Sequence, residues 1–236
     1  MSQTIYRPPT LVTNFLVIMK ISHLHHSLLI FFFVSHVVSC VAGQSLLHFA
    51  ASNGLLVFVK ILLIYTKLIN EQNNNGDTPI MLAIIFDHVE VAKVLSEEIN
   101  NADQKNVDGN TPLHLAARNG WLDIVETLLI KTKFINETNN NGNTPLYLAL
   151  LFDHFKVAEM LVNKIANVDE IIIYDEPLLH YAARKGLLNM VSIILTKTVR
   201  INEPDNQGDT PLMLAIYYDH VEVAKVLSEE INNADQ

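Results

Sequence analysis

The chain has a single cysteine, Cys40, among 236 residues. A disulfide within the chain is excluded, and so is any zinc or iron–sulfur site built on several cysteines. Positive charge is scarce too: 16 Lys and Arg stand against 25 Asp and Glu, a formal charge of −9. A phosphate-backbone binder needs a basic stripe, so nucleic acid is not an expected partner. Catalytic signatures are missing as well. There is no Gly-rich phosphate loop, dinucleotide fingerprint, His-Glu-x-x-His zinc motif, nucleophile elbow or EF-hand loop. Neither enzymatic chemistry nor a cofactor is expected. Apolar residues, in contrast, make up 50% of the chain and charged ones 17%, which excludes a disordered chain.

Charge is unevenly placed. Residues 1–43 hold Arg7 and Lys20 and no acid, so the rest sets 14 bases against 25 acids, a net of −11. Two regions of different physics meet near residue 43.

Beyond that point one period dominates. Ala50, Ala83, Ala116, Ala149, Ala182 and Ala215 are each 33 residues apart, inside SLLHFA, TPIMLA, TPLHLA, TPLYLA, PLLHYA and TPLMLA. Turn sequences containing Gly76, Gly109, Gly142 or Gly208 precede four of them. Thr78, Thr111, Thr144 and Thr210 offer N-cap hydroxyls, and the prolines after them suit the first helical position, where a missing N–H is harmless. Each short helix ends at a break: Asn-Gly at 53–54 and 119–120, Lys-Gly at 185–186, and Asp-His at 87–88, 153–154 and 219–220. Asp visits the left-handed region more readily than most residues, so Asp87, Asp153 and Asp219 are expected to stand in for glycine. A second helix follows, with apolar positions expected at Val89, Ala92, Val94 and Leu95 beside the Lys93 stem.

The period and TPLHLA, best seen in DGNTPLHLAARNGWLDIVETLL at 108–129, resemble the ankyrin repeat. The resemblance covers residues 43–236, with copies expected at about 43–73, 74–106, 107–139, 140–172, 173–205 and 206–236. It implies an all-α solenoid of stacked helix-turn-helix units with short β-hairpin or loop tips. An apolar N-terminal helix is expected before it. No unit can bury its apolar face alone, so neighbours must stack.

A second period is superimposed. Copies one, three and five share Leu-His-x-Ala-Ala and a glycine break; copies two, four and six share an aromatic-Asp-His break. Asp87–Gln104 recurs unchanged as Asp219–Gln236, 132 residues later. The array reads as duplication of a 66-residue pair. Its abrupt end, without a polar terminal cap, is expected to mark a truncated longer array or an end covered by a partner. Copy five departs most, with Leu178 at the proline position and no turn glycine. Its tip at 171–176 is expected to be irregular.

The ten histidines do not suggest a metal site. His48, His114 and His180 share one repeat position and His88, His154 and His220 another. Equivalent positions lie about 10 Å apart in packed helices, too far to share a zinc ion with bonds of about 2 Å. Hydrogen bonds to neighbouring hairpin backbone are the expected role. Asn136-Glu137-Thr138 matches a glycosylation acceptor, a pattern frequent by chance.

The segment 1–42 is treated separately. Residues 28–41 are strongly apolar and uncharged, the length of an export-signal centre rather than of a full bilayer span. Read from Met19, the segment has a basic start, an apolar centre and small residues before Gln44. Val37-Val38-Ser39-Cys40 resembles a lipoprotein box, which makes Cys40 a candidate lipidation site. An export signal, an uncleaved membrane anchor and a cover for the first repeat all remain open, with export or membrane association favoured over a cytoplasmic location. Asn- and Ile-rich turns and runs of Phe suggest an AT-rich bacterial genome, where ankyrin-like proteins are candidate host-directed effectors.

The resemblance also implies where a partner binds: the tips and the concave face of the first helices. Carried onto this chain, the tip candidates are Asn74, Asp77, Asp108, Asn110, Asn141, Asn143 and Asp209. The concave candidates are Phe86, Arg118, Phe152, Arg184, Tyr217 and Tyr218, because aromatic and Arg side chains dominate binding hot spots. The tips carry Asp and Asn without Lys or Arg, which leaves two readings open: a protein partner with a basic surface, or charge that serves solubility alone. The function implied is a protein-interaction scaffold without chemistry of its own. The alternative is an exported or membrane-tethered surface protein.

Overall fold

The computed structural model describes residues 44–65 and 68–234. The apolar segment at 28–41 and Cys40 lie outside the described residues, so the export, anchor and lipidation readings are not addressed by it. The chain divides into two compact units at Ile99/Asn100.

The first unit contains two helix pairs. They are α1 (Leu46–Ser52) with α2 (Leu56–Tyr65), and α3 (Pro79–Ile85) with α4 (Val89–Glu98). The second unit contains four. They are α5 (Pro112–Asn119) with α6 (Leu122–Lys131), α7 (Pro145–Leu151) with α8 (Phe155–Lys164), α9 (Leu178–Arg184) with α10 (Leu188–Leu195), and α11 (Pro211–Tyr217) with α12 (Val221–Ala234). First helices pack on first helices within copies one and two, three and four, and five and six, while between copies four and five the second helices α8 and α10 pack together. All six period-setting alanines are fully buried. A larger side chain there would hold the neighbouring helix away.

Three of the four expected threonine caps form; the fourth, Thr78 before α3, has its hydroxyl buried without a hydrogen-bond partner. Thr111, Thr144 and Thr210 accept the N–H of His114, Tyr147 and Met213 at 3.4, 3.1 and 3.3 Å, and proline opens each of these helices. The breaks are left-handed as expected: Asp87, Asp153 and Asp219 have φ of 62°, 58° and 60°. The second helices bury a slightly different stripe from the one expected. In α4 it is Val91, Ala92, Leu95 and Ser96 that are buried, while Val89 and Lys93 are exposed.

Four tips are built alike. Asn73, Asn106, Asn139 and Asp205 each turn a side-chain oxygen back to accept two backbone N–H groups, two and four residues ahead, at 2.8–3.1 Å. The fifth tip corrects the expectation of irregularity. Ile172–Ile173 and Glu176–Pro177 form a two-stranded antiparallel hairpin, β1 and β2, with Ile173 opposite Glu176. The two-residue loop, Tyr174 and Asp175, takes φ of 53° and 65°, as the tightest hairpin turn requires. Leu178 replaces proline for a structural reason: its N–H is needed to bond the Ile171 carbonyl at 3.0 Å.

The 66-residue period has a structural meaning. Where an odd copy meets the even copy after it, two histidines bridge the joint. One lies in the odd first helix: His48 and His114 reach the carbonyls of Asp77 and Asn143 in the next copy at 3.0 and 3.1 Å, while His180 reaches that of Glu203, near the end of its own copy, at 3.0 Å. The other lies at the even break: His88 and His220 reach back to the carbonyls of Ser52 and Arg184 at 3.0 and 2.9 Å. The joint between copies four and five is made differently. Tyr147 occupies the histidine position and contacts Tyr174, which contacts Tyr181, with ring centroids 5.4 and 5.9 Å apart. Lys197 then donates to the carbonyls of Val162, Asn163 and Ile165 at the end of α8, at 3.0, 2.6 and 2.7 Å.

Candidate functional site: a first-helix and tip surface

Exposed aromatics gather where first helices end. Phe86 closes α3 and is 54% exposed; Phe152 closes α7 and is 44% exposed. Tyr217 and Tyr218 end α11, edge to face at 5.0 Å, with Tyr217 80% exposed. Helix geometry places them there, because the break that follows turns the chain away and leaves the last side chains uncovered. Arg118 is exposed at the end of α5, and its guanidinium lies over the Phe152 ring at 5.4 Å. Arg184 lies equally far over Tyr181 and pairs with Glu176. That carboxylate is the main reason the Arg184 guanidinium is raised above its ordinary pKa.

The tip candidates separate into two kinds. Asn74, Asp108 and Asn141 are exposed. Asp77 is not: it is 6% exposed, its N–H donates to Asn73 and its carbonyl accepts from His48. The expectation that Asp77 presents its side chain at the surface is therefore corrected; it holds the joint together. Asn110 accepts from the Asn139 side chain at 2.8 Å, and the Asn143 carbonyl serves His114, so both are partly committed within the fold. Asp209 is half-buried, its N–H donating to Asp205 at 3.0 Å.

The histidine tautomers follow from their partners. The Ser45 N–H donates to His48 Nδ1 at 3.1 Å and the Thr111 N–H to His114 Nδ1 at 3.2 Å. Each Nε2 faces a carbonyl, which can only accept, so Nε2 carries the proton. Both residues have lowered pKa values, first through burial, which outweighs the opposing backbone hydrogen bonds. In copy five Pro177 takes the N-cap position and offers no hydroxyl, and His180 Nδ1 is buried without a hydrogen-bond partner. Among the described residues no three His, Cys, Asp or Glu side chains cluster as metal ligands, and no helix is long and apolar enough to cross a membrane.

One group of surface residues escaped sequence reasoning. Tyr174, Asp175 and Glu176 on the fifth tip, with Asp205 and Met213, surround a cleft beside Tyr217 and Tyr218. The Tyr-Asp turn carries no Asn-Gly or Asp-Gly signature, so only the fold reveals it.

The comparisons agree with this architecture. A family model described as ankyrin repeats in three copies matches residues 18–104, 98–172 and 167–236. The chain belongs to the ankyrin repeat family. Among solved structures it is similar to an ankyrin repeat domain from Acinetobacter baumannii AYE. That match has 25% identity and a TM-score of 0.63, over 78% of this chain and 96% of the other. The fold is also that of the ankyrin repeat domain of Bcl-3, a member of the IkappaB protein family. There the identity is 22% and the TM-score 0.59, over 80% and 87% of the two chains. No curated protein matches the chain. Ankyrin repeats are in general protein–protein interaction modules.

Proposed function

We propose that the chain is a non-enzymatic scaffold that grips a partner protein through its tips and the ends of its first helices. The observation that carries this reading is the exposure of Phe86, Phe152, Tyr217 and Tyr218, with Arg118 resting on Phe152. Large rigid rings that the fold leaves about half or more exposed are the kind of group that dominates binding hot spots. The exposed tip residues Asn74, Asp108 and Asn141 add hydrogen-bonding and negative charge, which favours a partner with a basic face.

The test is cross-linked capture of partners by the native chain and by variants with Phe152→Ala plus Arg118→Ala, or Phe86→Ala. These side chains are exposed, so folding should persist, as circular dichroism would verify. Loss of a specific partner is the expected result. An identical set of captured proteins from native chain and variants would count against this surface.

A second reading, display outside the cell or on a membrane, draws on the uncharged run at 28–41 and on Cys40. It is compatible with the scaffold role. N-terminal mass spectrometry of the native protein, run on separated membrane and soluble fractions, tests it: a lipidated Cys40 supports it, and a chain intact from Met1 in the soluble fraction removes it.

A further inference from the structure

A cleft of 820 Å³ beside the tips of copies five and six is lined by several charged residues. Its rim holds four carboxylates, Asp175, Glu176, Asp205 and Asp209, and one cation, Arg184. Arg184 is already engaged by Glu176, so three acids remain uncompensated. No Lys or Arg occurs anywhere from residue 201 to 224. Asp205 is held ionised by its fold: burial would raise its pKa, but N–H groups of Asp209 and Gln207 bonding its carboxylate outweigh that.

The walls are aromatic. Tyr217 and Tyr218 stand on one side, and Tyr174 on the hairpin lip stands on another. Tyr174 is a non-glycine residue at φ of 53°, a conformation that costs about 1–2 kcal/mol. Met213, more than half exposed, also lines the cleft.

We propose that this cleft receives an arginine side chain from an extended basic segment of the partner; the inference rests on the scaffold reading above and names what that surface recognises. A guanidinium is planar and weakly hydrated. It stacks its face on a ring and offers its edge to carboxylates at the same time, while a lysine ammonium acts as a point charge. The three-carbon stem would lie over Met213. The chain already contains this arrangement in its own Arg184, whose plane covers Tyr181 at 5.4 Å and whose edge meets Glu176. The sign of the cleft excludes phosphate or an acidic peptide as occupant.

The probes are four fluorescein-labelled Gly/Ser nonapeptides that differ only at the central residue: arginine, lysine, citrulline or glutamate. Fluorescence anisotropy with the full chain at low salt reads their affinities. The arginine peptide is expected to bind about tenfold more tightly than its neutral citrulline twin, with lysine between and glutamate weakest. Asp175→Asn with Asp209→Asn should bring arginine down to the citrulline level. Tyr217→Ala should weaken it about threefold or more. Circular dichroism checks that each variant is folded. Equal affinity for arginine and citrulline, indifference to the cleft substitutions, or no binding by any of the four would each overturn the inference. Partner capture separates it from the scaffold reading. If Phe152→Ala and Arg118→Ala abolish capture while the arginine peptide fails, the scaffold stands and the arginine cleft falls. If the peptide binds as expected but capture ignores every surface variant, the cleft stands and the wider surface falls.

Discussion

His220 rests directly on the backbone of Gly186. A Cβ on Gly186 would lie 2.5 Å from His220 Nδ1, while His220 Nε2 reaches the Arg184 carbonyl at 2.9 Å. The same fit recurs at Gly54 with His88 and at Gly120 with His154. The odd glycine and the even histidine are thus two halves of one joint.

Gly186→Ala should therefore destabilise the second unit beyond the cost of a left-handed alanine. The φ of 69° alone costs about 1–2 kcal/mol, and the clash adds to it. Denaturant melts should show a loss of about 2–4 kcal/mol. His220→Ala in the same chain should recover part of that loss by removing the clash, while giving up its hydrogen bond. A strictly additive double mutant would argue against the joint as described.

Stability should fall as the solution is acidified from neutrality. His48 and His114 have pKa values lowered in the folded chain, mainly by burial. Below the ordinary value of about 6.5 the unfolded chain binds protons that the folded chain refuses. Their contribution is complete above that value and is lost progressively as the pH drops toward the lowered folded pKa values. Protonation would also set a new Nδ1–H against the Ser45 or Thr111 N–H. Replacing both with glutamine should weaken the protein at about pH 7.5 yet flatten the slope between about pH 7 and 5. Denaturation midpoints across that range give the answer, and an unchanged slope would dismiss this explanation.

Lys197 should matter more than a half-buried lysine usually does. Its ammonium caps three carbonyls at the end of α8, where the helix leaves its acceptors unused. Lys197→Met keeps much of the stem and removes the cap. A loss of about 1–2 kcal/mol is expected, with faster amide exchange concentrated in α8 and α10. Uniform acceleration across the second unit would point to another cause.

Tyr181 should resist ionisation. Burial pushes its phenol up to about 12, with Tyr174 also raised. Ultraviolet titration should show these rings ionising above the ordinary tyrosine range. A phenol with a raised pKa favours the folded state below its ordinary value of about 10 and loses that advantage as pH climbs from there to about 12. Tyr181→Phe should remove the late step from the titration; its persistence would assign the step to another ring.

Much of the architecture was legible along the chain. Repeat spacing located the period-setting alanines, the caps and the left-handed aspartates, because each depends on a residue's own backbone preference and on its immediate neighbours. The candidate site was only partly legible. Phe152 and Tyr217 could be placed at helix ends by counting from the alanines. Asp77 looked like a surface acid but is held inside by Asn73 and His48. Tyr174 and Asp175 gave no warning that they form the lip of a cleft, because that lip depends on Tyr147 from the preceding repeat and on Tyr181 from the helix that follows.

The clearest division lies in one duplicated stretch. Asp87–Gln104 and Asp219–Gln236 are identical, and both begin with a left-handed aspartate and a helix two residues later. Their own residues determine that much. Yet α4 stops at Glu98, and Ile99 turns extended and is almost wholly buried, whereas α12 runs on to Ala234 with Ile231 partly exposed. Leu150 and Ile216, at equivalent positions, are 1% and 64% exposed. Helix propensity is worth only tenths of a kcal/mol per residue, while burying an isoleucine is worth about 1.5–3. The same residues are extended where the isoleucine is buried and helical where it is half-exposed, so burial and not local sequence decides.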